Sequence, residues 1–388
     1  MLREFLRLES AAGIILMGAA LLALVIDNSP MAWAYDLLLD TPVVVSIGEF
    51  SIAKPLLLWV NDGLMAVFFF LIGLELKREM LIGALSTRDR ALLPLIAAVG
   101  GMVLPALIYV AINGGDPEAL RGWAVPTATD IAFALGILAI LGSRVPFALK
   151  VFLSALAIVD DLGAIVVIAV FYTADLGTWS LIMAAISICA LAVLNLMGVT
   201  RIVPYLLVGL VLWTFVLKSG VHATLAGVVL AFFIPLEDPR NPDYSPLQDL
   251  EHKLHPWVAF MILPIFGFVN AGVDLSGITG DVLWSGIPLG VMLGLFIGKQ
   301  IGVFGFSWVA VKLDWVTLSD DVSLAMIYGV SLLTGVGFTM SLFIGGLAFA
   351  DPDQIAMVKI GVLAGSLLSG VAGYLVLRMA LNRRPLPA

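Results

Sequence analysis

The chain has 388 residues, of which 61% are hydrophobic and only 12% charged, with a net charge of −8. A soluble chain has roughly a quarter of its residues charged, so this composition excludes a soluble fold, and the acidic balance leaves no basic surface for nucleic acid. Apolar runs of span length recur from Ala11 to Leu381, whereas the longest polar stretches, Asn28–Pro55 and Glu237–His255, are too short for a soluble domain.

The expected fold is an all-α polytopic membrane protein forming one transmembrane domain over residues 1–388. Twelve spans are expected, at 11–28, 56–82, 92–113, 120–141, 147–172, 178–198, 202–217, 220–235, 255–272, 286–311, 325–350 and 357–380. The first apolar run is long for a signal peptide, and no small-x-small cleavage site comes before Asp27-Asn28-Ser29-Pro30, so it reads as a retained span. Between the first two spans, Val43–Ile52 is β-branched and aromatic with Gly48 near its middle, the pattern of a short hairpin. The single cysteine, Cys189, lies in an apolar run and has no partner for an intrachain disulfide.

Two spans carry interruptions. The fourth holds Val125-Pro126-Thr127-Ala128-Thr129-Asp130, where Pro126 removes a backbone donor. The eleventh holds Ser331 to Ser341, rich in glycine and hydroxyl residues that permit unwound backbone. Spans three to five and ten to twelve start from opposite sides, and each triplet has its break in the middle. That is an inverted repeat with matched interruptions, a pointer to a transporter site near the midplane. Facing half-helix ends there would need compensating charge. The sequence offers Asp130 at the first break and Lys299 midway along span ten.

The strongest chemical signal is Asp160-Asp161 in the middle of span five. An Asp at the centre of a membrane helix costs about 2.5–3.5 kcal/mol on insertion scales. Two adjacent carboxylates also repel, so at least one is expected to hold a proton. Such a pair can trade protons for a hard cation.

Lys and Arg sort the loops. Fifteen fall on one side; Lys54, Arg121, Lys218 and Lys359 fall on the other, with Lys299 inside a span. The positive-inside rule then places both termini in the cytoplasm and supports an even number of spans.

At these residues the chain resembles the bacterial NhaA family of sodium/proton antiporters. The matching stretches are Ala128–Gly136, Asp160–Ala164, Leu217–Gly227, Glu251–Trp257 and Gly337–Ser341. Inverted repeats and broken helices are themselves features of that family. The resemblance implies a sodium or lithium/proton antiporter of the bacterial inner membrane, with alkaline-activated regulation and no cofactor. Asp160 and Asp161 then look like the cation and proton carriers. Asp130 and Thr129 look like charge compensation and polar lining at the crossing, and Lys299 like the partner of Asp160. Glu75, Arg78, Glu79, Glu251, His252 and His255 resemble a cytoplasmic pH-sensing cluster, and His222 a histidine that influences pH response. The hairpin at 43–53 resembles a homodimer contact. The chain departs from the pattern just ahead of Glu251, where Gln248 and Asp249 replace expected basic residues and Lys253 enters the motif.

A sodium-coupled symporter of a small organic solute would share this architecture. A membrane aspartyl protease would place its two Asp in separate motifs absent from the span centres, and a channel needs neither paired titrating carboxylates nor matched breaks.

Overall fold

The computed structural model describes residues 2–48, 50–83, 85–173, 176–241, 243–276 and 280–382. Glu49 of the expected hairpin and the basic Arg383 and Arg384 lie outside the described residues. The chain opens with α1 (Leu2–Asp27), from which α2 (Ala32–Asp40) turns off by 114°. The hairpin follows as β1 (Pro42–Ile47) and β2 (Phe50–Pro55), antiparallel in the register Pro42↔Pro55 to Ile47↔Phe50. Among the described residues it is the only sheet.

The remaining chain is helical: α3 (Leu56–Leu81), α4 (Arg88–Asn113), the 3-10 segment Ala119–Thr127 and α5 (Ile131–Ile140). Next come α6 (Phe147–Phe171), α7 (Thr178–Leu196), α8 (Ile202–Leu217), α9 (Leu225–Phe233) and α10 (Pro246–Ala271). Last are α11 (Gly286–Lys312), α12 (Leu324–Leu333), α13 (Phe338–Ala348) and α14 (Pro352–Asn382). Among the described residues seven helices are long and apolar enough to cross a membrane, or up to ten if each bent pair forms one span. The chain is therefore a polytopic membrane protein.

Helix occupies each of the twelve expected stretches, with shifted starts: α1 begins at Leu2 and α14 at Pro352, ahead of the expected 11 and 357, and two further differences have a local cause. The stretch at 220–235 is helical only from Leu225, because Gly220 takes a left-handed φ of 84° that ends the continuity with α8. The stretch at 255–272 begins earlier, at Pro246, where Ser245 caps the helix by accepting from the Gln248 N–H. Both expected interruptions are real. The 3-10 segment and α5 meet at 41°, and α12 and α13 at 44°.

Two apolar cores form. The larger runs through α1, α3 to α6 and α10 to α14; the smaller joins α3 to α7, α8 and α9. Close backbone approach holds the first together. At the α4–α11 crossing a Cβ on Gly302 would run into the Gly100 carbonyl, so only glycine lets the two helices touch there. Single π-turns interrupt α3 (Val60–Leu64), α10 (Val258–Ile262) and α11 (Gly294–Gly298 and Gln300–Phe304). In α11 they flank Lys299, and in α3 they contain Asn61 and Asp62; π-turns of this kind concentrate at functional sites.

Candidate functional site: a dry carboxylate cluster where two broken helices cross

The two interruptions meet. The backbone N–H of Asp130 donates to the Val336 carbonyl at 2.7 Å, which ties the first break to the second. Asp130 Oδ1 accepts from Phe133 N at 2.9 Å and so caps α5. Its Oδ2 accepts from the backbone N–H of Thr339 at 3.0 Å and from the Thr339 hydroxyl at 2.5 Å. One carboxylate therefore serves the N-terminal ends of both half-helices, where aligned peptide dipoles leave partial positive charge. Ser341 adds a further bond across the crossing, donating to the Val125 carbonyl at 2.7 Å.

Asp160 sits beside this crossing. Its Oδ2 accepts from Lys299 Nζ at 2.5 Å and lies 2.7 Å from the Thr129 hydroxyl. That hydroxyl is also 2.9 Å from the Thr334 carbonyl at the end of α12, so its single proton has two acceptors to choose from. Lys299 is fully buried and does not run to an interface. Asp161 differs from its neighbour: both of its oxygens are buried without a hydrogen-bond partner, as is Asp160 Oδ1. Asp130, Thr129, Asp160, Asp161 and Lys299 are each at most 2% exposed.

A cavity of about 630 Å³ lies against α6, the helix that carries Asp160 and Asp161. Glu75, Arg78 and Glu79 line it together with Ser154, Ala155 and Ile158 of α6. Asp161 lies three residues beyond Ile158 and seven beyond Ser154, so it continues the helical stripe that lines the cavity.

At the cavity rim Arg78 Nε reaches both oxygens of Glu251, at 3.1 and 2.9 Å, and Arg78 Nη1 reaches Glu79 Oε1 at 2.6 Å. Glu75 and His255 are buried nearby on the same two helices, α3 and α10, with His255 one turn after Glu251. His252 is exposed. The unusual Lys253 pairs with Asp249 at 2.8 Å, not with Glu251, so that ion pair stays on the surface.

A second polar group lies at the other end of α3. Asn61 and Asn270 exchange two amide hydrogen bonds, at 3.2 and 2.9 Å. Lys54 bridges to Asp62 at 2.6 Å, and the Trp213 indole donates to the Asp62 carbonyl at 2.9 Å. His222 belongs to this end. Its ring packs against Phe343 of α13, and its Nδ1 is buried without a partner.

Sequence reasoning did not single out Asn270 or Ser366. Each is a hydrogen-bonding side chain in an apolar helix, and that alone was the available signal. Both have partners far away in the chain, which no local pattern shows.

A sequence model of the family described as Na+/H+ antiporter 1 matches residues 3–377. The chain is 59% identical over 390 residues to the Na(+)/H(+) antiporter NhaA of Rhodospirillum rubrum, with 98% of each chain covered. This chain belongs to the NhaA family. The NhaA of Sulfurovum sp. is 57% identical with 98% of each chain covered, and an NhaA of Syntrophotalea carbinolica is 55% identical over the whole of this chain and 98% of its own. The crossing of broken helices and the dry aspartate pair are thus features of an NhaA-family member, and its relatives are named as transporters.

Proposed function

We propose that this chain is a sodium or lithium/proton antiporter that expels the cation while protons enter down their gradient. The observation that carries this reading is Asp161, a fully buried carboxylate with no donor on either oxygen, next to an ion-paired Asp160. A carboxylate in a dry interior must be neutralised. Asp161 therefore holds either a proton or a cation, and exchange is the alternation between the two.

Sodium and lithium are hard cations and prefer oxygen ligands. The unpartnered oxygens of Asp161 and Oδ1 of Asp160, with the Thr129 hydroxyl that reaches Asp160 Oδ2, are the oxygen ligands on offer. A cation arriving along the cavity favours the ionised carboxylates and displaces protons; protonation displaces the cation. Lys299 neutralises Asp160 when no cation is present, so the empty site is not left with two bare charges. Obligatory exchange follows if the loaded and protonated forms cross between sides and the empty ionised form does not.

The remaining features belong to the same proposal. The protein has twelve spans with inverted triplets at spans three to five and ten to twelve, lies in the bacterial inner membrane and keeps both termini in the cytoplasm. The Glu75–Arg78–Glu79–Glu251–His255 group, with His252 at the surface, senses cytoplasmic pH at the cavity rim, and His222 influences the response from the opposite end. The hairpin joins two copies in a homodimer. A sodium-coupled symporter remains the second reading, and the family match does not favour it.

The test is a proteoliposome assay. Sodium or lithium added to vesicles holding a pH gradient should collapse it with no organic solute present, and the Asp161→Asn protein should not respond. Full exchange in Asp161→Asn sinks the site, and a requirement for an organic solute sinks antiport.

A further inference from the structure

The two half-helix N-termini at the crossing are held differently. α5 carries its own cap, because Asp130 accepts from Phe133 N three residues on. α13 has none: its N-cap residue is Gly337, which has no side chain to accept a first-turn N–H. A helix start leaves such donors orphaned, and in a membrane interior water does not rescue them. The acceptors come from other elements. Thr339 N goes to Asp130, and the N–H groups of Gly337 and Phe338 both donate to Ser366 Oγ on α14, each at 3.2 Å. Ser366 is buried.

We infer that Ser366 is a positioning residue for ion exchange: an external cap on α13 that keeps Thr339, Asp130 and Thr129 in register with Asp160. The connection is continuous. Ser366 fixes Gly337 and Phe338; Thr339 is the next residue and holds the Asp130 carboxylate; the Asp130 backbone N–H is bonded to Val336; and Thr129, adjacent to Asp130, reaches Asp160. Ser366 itself touches no ion. Removing its hydroxyl strands two N–H donors, and the nearest remedy is for the first turn of α13 to shift toward another acceptor, the Asp130 carboxylate among them. The oxygens offered to the cation then move apart while the carrier residues remain. This inference rests on the reading of Asp160–Asp161 as the exchange site.

The experiment measures sodium-dependent exchange in proteoliposomes at alkaline pH for the parent, Ser366→Ala, Ser366→Thr and Ser369→Ala. Losing a cap to the site should raise KM for sodium about tenfold in Ser366→Ala, with the maximal rate within about twofold of the parent. Ser366→Thr retains the oxygen and should keep KM near the parental value. Ser369 lies one turn further along α14 and its buried hydroxyl has no partner, so Ser369→Ala removes a hydroxyl from the same face without uncapping α13 and should leave KM unchanged. Parental KM in Ser366→Ala overturns the inference, as does an equal rise in Ser369→Ala. Where Ser366→Ala yields too little folded protein, Ser366→Gly, which likewise offers no side-chain acceptor, takes its place with the same criterion. Asp161→Asn is assayed alongside. If that variant loses exchange while Ser366→Ala keeps parental KM, the positioning role alone fails; if it retains exchange, the site reading fails and the positioning role with it.

Discussion

The crossing at the centre and the rim of the cavity both set carboxylates against cations, but they keep different amounts of water. At the centre, Lys299 and Asp160 are fully enclosed, whereas at the rim the Arg78 and Glu251 side chains are 27% and 11% exposed. Arg78 keeps contact with water at the rim, so that pair is screened more than the central one, although Glu251 itself is buried. Nothing screens the central pair, so the loss of one partner leaves a bare charge in low dielectric. Charge in the enclosed region has to be neutralised by a partner, a proton or a cation. Charge in the wet region can titrate and rearrange, which suits a control element.

Variants that break this contrast have their largest expected effect at Asp161. Asp161→Asn keeps volume and polarity but removes the only carboxylate here with no partner on either oxygen, so exchange in proteoliposomes should disappear while the protein still inserts. Asp160→Asn should likewise abolish exchange. Next comes Lys299→Ala, which leaves Asp160 uncompensated and should cost about 3–5 kcal/mol of stability besides transport. Thermal unfolding in detergent checks it, and an unchanged midpoint would show that Asp160 is not charged when Lys299 is absent.

At the rim, Glu251→Gln and His255→Gln should leave maximal exchange rates near parental. What should move is the pH profile. A rim network that tightens in acid and loosens in base would make parental activity rise from acid to alkaline pH. Proton competition at the aspartate pair predicts the same slope. Saturating sodium separates the two, since it outcompetes protons at the carrier but does not reopen a rim network. Complete restoration of acid-pH exchange by sodium, with parental profiles in both rim variants, assigns the pH response to the aspartates.

The smallest effect on transport should follow deletion of residues 47–50 at the tip of the hairpin. The hairpin lies outside both broken pairs, so exchange per protomer should persist while crosslinking detects less dimer. A deletion protein that stays fully dimeric places the interface elsewhere.

The sequence by itself determined the membrane class, the positions of the helical stretches, the hairpin, both breaks and the aspartate pair. These follow from local chemistry: apolar run length, Gly and Pro in a span, β-branched alternation, and the cost of charge in hydrocarbon. The resemblance also singled out Lys299 as the partner of Asp160 and grouped Arg78 with Glu251. The tertiary structure decided what each carboxylate has around it. Asp160 and Asp161 are adjacent in sequence, yet one faces Lys299 of α11 and Thr129 of the first break, while the other faces no donor at all. Asp130 caps two helices that start 207 residues apart, at Ile131 and Phe338, and Ser366 caps one of them from a third. His252 and His255 are three residues apart, yet one is exposed and the other buried. Charge and its cost are written locally. Whether a charge is paired, capped or left free depends on which distant backbone groups the fold brings within about 3 Å of it, and that is decided only when the helices pack.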